Sequence, residues 1–173
     1  MVGSLAGILV CTISACTDTE QYSIPEKFCN VALDPAKARS VLPTGRRLTQ
    51  RDDSTQARLF CYVDVDERKN VLKIYVSRHP DKLNDPIWKD LVPPGFAMND
   101  PRPAKAGDRA AVGRDGAVAD VQCLGGRKAL GKYLTVRLSL PWLEGEKPGE
   151  ISRPEIEKFL DAYLKGQRRN HSC

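Results

Sequence analysis

Leu134, Val136, Leu138 and Leu140 alternate with Thr135, Arg137 and Ser139 along residues 133–140. A period of two over this length predicts a half-buried β-strand, leucines inward and polar residues outward. Leu59, Cys61, Val63 and Val65 repeat the pattern, Asp66 to Asn70 can turn the chain, and Val71 to Ser77 is rich in β-formers, so residues 59–77 predict a β-hairpin. A second hairpin joins Ala110–Val112 to Ala117–Cys123 through Gly113-Arg114-Asp115-Gly116, where Asp-Gly is a strong turn signal. Leu124-Gly125-Gly126-Arg127 reads as the next turn.

The clearest helix comes last. Ser152-Arg153-Pro154-Glu155 is a capping box with proline in the first turn, and Ile156, Phe159, Leu160, Tyr163 and Leu164 follow at helical spacing. Asp34-Pro35 opens a shorter helix that Pro43-Thr44-Gly45 stops. Residues 46–56 are polar and read as loop. The sum is an α+β domain: an antiparallel sheet of about five strands, a meander of hairpins, with the helices packed on one face.

Residues 79–107 break the pattern with six prolines and few β-formers. Asp85-Pro86 can start one helical turn through Ile87, Trp88 and Leu91. A connection this long is uncommon in a compact domain and is usually either functional or disordered; buried aromatics would tie it down. Trp88, Phe96 and Met98 are therefore the candidate binding residues, with a second reading in which they cover the open face of the sheet. Trp142, beside Pro141, has the same two readings.

The start of the chain is uncharged and apolar from Leu5 to Ile13, the length of a signal h-region and too short to span a bilayer. Ile13-Ser14-Ala15-Cys16 resembles a lipobox, the tetrapeptide at which bacterial lipoprotein precursors are acylated and cut. The resemblance implies a signal peptide over residues 1–15, a lipid on Cys16, a polar tether over 16–27 and one domain over 28–173 on the outer face of the cytoplasmic membrane. Met1-Val2-Gly3-Ser4 carries no basic residue, so the n-region is expected to be truncated and the true start codon to lie upstream. A buried strand over residues 5–13 is the competing reading.

A net charge of +5 is spread without an aromatic-interleaved stripe, which argues against nucleic acid and is compatible with anionic headgroups or wall polymers. Of six cysteines, Cys11 and Cys16 belong to the leader and lipid site. Cys29, Cys61, Cys123 and Cys173 remain, an even set in an exported chain, and predict two disulfides. In a meander the strands of Cys61 and Cys123 are separated by two others at about 4.8 Å each, beyond the roughly 7 Å between bridged Cα atoms. Cys29 lies just before a helix expected to pack over the strand of Cys61, and the last helix can carry Cys173 back to Cys123. The expected pairs are Cys29–Cys61 and Cys123–Cys173.

Phe28-Cys29, the helix ending Leu42-Pro43-Thr44-Gly45, Cys61, Gly107-Asp108-Arg109-Ala110-Ala111-Val112, Gly116 to Cys123 and the terminal Cys173 are the residues of a further likeness. Through them residues 28–173 resemble small exported or lipid-anchored actinobacterial proteins, common in Streptomyces, of unknown function. The resemblance implies a disulfide-stapled α+β fold outside the membrane and no activity, ligand or catalytic residue.

No catalytic, metal or cofactor motif stands out. His79 precedes Pro80 and His171 lies in the tail, neither within a metal motif. Gly-x-Ser-x-Gly and phosphate-binding loops are absent. Asp64 and Asp66 read as solvated acids; with Asp120 they lack the spacing of a Ca²⁺ loop. The expected function is a noncatalytic envelope binding module, its partners the membrane through the lipid and a protein or envelope polymer. The alternatives are an extracytoplasmic hydrolase with an unrecognised site, for which a cleft uniting His79 with acids or a Ser would speak, and an accessory subunit of a membrane complex.

Overall fold

The computed structural model describes residues 21–55, 58–81, 96, 98–123, 131–143, 151–170 and 173. In chain order the elements are β1 (Lys27–Phe28), β2 (Val31–Ala32), α1 (Pro35–Arg39), β3 (Leu48–Ser54), β4 (Arg58–Val65), β5 (Arg68–His79), β6 (Arg102–Ala104), β7 (Arg109–Val112), β8 (Gly116–Gln122), β9 (Tyr133–Ser139), a 3-10 turn (Pro141–Leu143) and α2 (Arg153–Asn170). β1 and β2 form a small hairpin whose turn, Cys29-Asn30, has φ of 48° and 66°. The other seven strands form one antiparallel sheet in the order β3-β4-β5-β9-β8-β7-β6.

The sheet is thus larger than the expected five strands, and it is not a single meander. Two meanders, β3-β4-β5 and β6-β7-β8-β9, meet where β5 pairs with β9. That junction explains the long connection after His79. The chain must leave β5 in mid-sheet and restart at the far edge, four strand spacings or roughly 19 Å away. β3 forms where a polar loop was expected. It is an edge strand with most residues exposed, so its sequence lacks an apolar alternation.

One face carries the main core. Cys61, Val63, Val65, Leu72, Ile74, Ala119, Leu134, Val136 and Leu138 share it with Ile156, Phe159, Leu160, Tyr163 and Leu164 of α2, which packs on β8, β9 and β7. The helix starts as its sequence predicts: Glu155 accepts from the Ser152 N–H at 2.8 Å and from the Ser152 hydroxyl at 2.9 Å. α1 is capped by Asp34, whose carboxylate accepts from Ala36 N at 2.9 Å, and it packs against α2. The β1–β2 hairpin is clamped to α2 by Tyr163, which donates to the Cys29 carbonyl at 2.7 Å, and by Asn170, which donates to that of Asn30 at 2.6 Å. Gly166 lets this contact close, since a Cβ there would lie 2.0 Å from Val31 Cγ1.

Disulfides join Cys29 to Cys61 and Cys123 to Cys173, with Cα atoms 5.7 Å and 4.2 Å apart. β5 and β9 stand between the strand of Cys61 and the strand that leads to Cys123, as the spacing argument requires. One detail differs: Cys29 reaches β4 from the β1–β2 turn rather than from beneath α1.

The second face is covered in part. Phe96 packs on Phe60 and Tyr75, with ring centroids 6.5 and 6.0 Å apart, and Met98 packs on Ala111 and Val118. Thr135, Arg137 and Ser139 do point away from the leucines, yet they are only 1–5 % exposed. Their expected solvation fails on a face where Phe96 and Met98 also pack. Asp64 departs from expectation in the same way. Its carboxylate is buried and accepts from Asn70 N at 2.7 Å, with Lys69 and Arg51 at 3.4 and 3.6 Å. Burial opposes its ionisation, but the Asn70 N–H first, and then Lys69 and Arg51, hold it below the usual carboxylate range.

Candidate functional site

Four polar side chains converge on the second face, near one end of the sheet. The register explains why: Thr135 of β9 lies opposite Asp120 of β8, Asp120 lies opposite Arg109 of β7, and His79 ends β5 beside β9. All four project to the same face because side chains alternate along each strand. The Thr135 hydroxyl donates to Asp120 Oδ1 at 2.9 Å. Arg109 donates to Asp120 Oδ2 at 2.8 Å. His79 Nε2 is 2.5 Å from the Thr135 hydroxyl oxygen and 3.6 Å from Asp120 Oδ1. The other ring nitrogen, Nδ1, faces the Asp81 carbonyl at 2.5 Å, and the ring stacks on Tyr133.

The partners dictate the protonation. A carbonyl can only accept, so Nδ1 carries a proton. Thr135 spends its one hydrogen on the Asp120 carboxylate, so Nε2 must donate to the hydroxyl oxygen. The ring is then an imidazolium, linked through Thr135 to an ionised Asp120. Burial disfavours the charge on His79, but Asp120 and the Asp81 carbonyl outweigh it and raise the pKa above the ordinary imidazole value. Burial likewise opposes ionisation of Asp120, and pairing with His79, Arg109 and Thr135 reverses this and lowers its pKa.

The order of groups limits the chemistry. A nucleophilic triad places the imidazole between hydroxyl and carboxylate, with the hydroxyl open to substrate. Here the hydroxyl stands in the middle, 1 % exposed, inside a sheet. The arrangement holds β5, β9, β8 and β7 in register and keeps the Asp120 carboxylate, 2 % exposed, from water. Among the described residues, no three His, Cys, Asp or Glu side chains come together as metal ligands.

Of the binding residues expected from sequence, Phe96 is 5 % exposed and Met98 is half-buried; both contact the sheet. Trp88, Cys16, the turn at 124–127 and the helical turn expected at Asp85–Leu91 lie outside the described residues, as does His171. Trp142 is half-buried against the main core. Sequence reading did not unite His79 with Thr135, Asp120 and Arg109. The available signal was Asp120 itself, a carboxylate between Ala119 and Val121 in a strand that is otherwise apolar up to Gln122. Comparison with family models, with curated proteins and with solved structures finds no match to the chain.

Proposed function

We propose that this chain is a noncatalytic binding module, held on the outer face of the cytoplasmic membrane by a lipid on Cys16. The observation that carries the noncatalytic part is the buried, central position of the Thr135 hydroxyl between His79 and Asp120. The polar groups that a hydrolase would need are engaged with one another and lie in the body of a sheet. The two disulfides support the location, because such bonds persist in oxidising compartments. The lipobox-like Ile13-Ser14-Ala15-Cys16 supplies the anchor, and no helix among the described residues is long and apolar enough to cross a membrane. The actinobacterial likeness belongs to this proposal as well.

Two experiments test it. In an actinobacterial host, the wild-type chain should fractionate with membranes and Cys16→Ala should not remain there as a lipidated species. Purified protein should turn over no ester, amide or phosphoester substrate. Turnover that disappears in His79→Gln, with the fold intact, would overturn the noncatalytic reading in favour of a hydrolase.

A further inference from the structure

At the opposite edge of the sheet from β3, three arginines from three elements converge on one carboxylate. Arg102 begins β6, Arg114 sits in the β7–β8 turn and Arg153 begins α2. Arg153 donates to Asp100 Oδ2, and Arg102 Nη2 and Arg114 Nε stand 3.5 and 3.6 Å from the same oxygen. The last two distances are too long for good hydrogen bonds. Both side chains are about two-thirds exposed, at 66 % and 68 %, and neither has another partner among the described residues. Two exposed guanidiniums thus stand around a single shared anion.

The platform beneath them is built before any ligand arrives. Asp115, 5 % exposed, accepts from Asn99 N at 2.7 Å and Asn99 Nδ2 at 2.6 Å, while Arg114 N donates to the Asn99 carbonyl at 2.9 Å. Leu140 N donates to the Asp115 carbonyl at 2.7 Å, which ties the turn to the end of β9. These bonds fix residues 99–100 against residues 114–115, with Asp100 at a φ of 48°. Nearby carboxylates do not neutralise the arginines: Asp115 spends its oxygens on Asn99, and Glu155 is turned back onto Ser152. Among the described residues, one carboxylate thus faces three guanidiniums.

We infer that Arg102, Arg114 and Arg153 form a binding site for a phosphate group, with Asp100 as the internal anion that gathers them. A phosphate offers more than two oxygens to donors arriving from three directions, and guanidinium pairs with it bidentately. The inference specifies the ligand for the binding-module reading and rests on it for its biological meaning, but the site itself does not depend on the lipid at Cys16. The phosphate can come from a lipid headgroup or from a free or polymeric phosphate, and the chemistry at the arginines is shared.

The test uses the purified full chain with two probes, pyrophosphate in calorimetry and vesicles of phosphatidylglycerol against phosphatidylcholine in cosedimentation. Saturable pyrophosphate binding, or a preference for the anionic vesicles, should fall at least tenfold in Arg102→Gln/Arg114→Gln. Both side chains are exposed, so thermal melting should be unchanged. Asp100→Asn should tighten binding. Arg46→Gln/Arg47→Gln, which removes equal charge elsewhere, should leave binding unchanged. Pyrophosphate binding without vesicle preference identifies a soluble or polymeric source, and the reverse identifies a headgroup. No binding of either probe, or equal losses in both double variants, would overturn the site. Neither result would touch the noncatalytic reading, which fails only on turnover.

Discussion

Asp120 is the residue on which the second face depends most. Its carboxylate serves Arg109, Thr135 and His79 at once while 2 % exposed. Asp120→Asn would leave two cations facing a neutral amide, and removing one partner of a buried ionic cluster costs about 3 kcal/mol when some solvent reaches the others. Urea unfolding should show that loss. The same cluster sets a pH dependence. The raised pKa of His79 means that its contribution is complete below the ordinary imidazole value, about 6.5, and is lost as pH rises through the folded value. The lowered pKa of Asp120 means that its contribution is present above about 3.9 and is lost as pH falls through the folded value. Melting temperature should therefore decline between mildly acidic and mildly alkaline pH, and His79→Gln should flatten that decline. A wild-type profile as flat as the variant's would remove the imidazolium from the account.

At the scale of elements, the contact between α2 and the β1–β2 hairpin is the tightest junction on the main core face. Gly166→Ala improves helix propensity by roughly 1 kcal/mol, yet its Cβ would meet Val31 Cγ1 at 2.0 Å. Overpacking of this kind costs about 1–3 kcal/mol, so the variant should be less stable than wild type. Adding Val31→Ala should recover part of the loss in a double-mutant cycle. The disulfides act at the same scale. Cys123→Ser/Cys173→Ser opens a loop of 50 residues and frees the end of α2 from the end of β8. Chemical unfolding should register a loss of about 2–4 kcal/mol. The apolar stripe of α2, the alternation of β9 and the Gly113–Gly116 turn were all legible from sequence, because each is a local pattern with a buried face to enforce it. β3 was not: its residues are mostly exposed, and β4 alone makes it a strand.

The arrangement of the whole molecule was legible only in part. Hairpins predict which consecutive strands pair, and the cysteine argument needed only two strands between Cys61 and Cys123. Nothing local announces that β5 pairs with β9, since that contact joins residues about 60 positions apart through complementary faces. The polar cluster was hidden for the same reason. Asp120 and Thr135 face each other within one meander, and His79 of β5 meets them only once the two meanders join. The proposed anchor, by contrast, is a purely local reading of four residues, and it would decide where the molecule works. The most direct measurement is intact-mass analysis of the full-length gene product recovered from the membrane fraction of an actinobacterial host. The account predicts a chain beginning at Cys16 with a diacylglyceryl group on that residue and both disulfides intact; an unmodified chain beginning at Met1, with no lipid at Cys16, would contradict it.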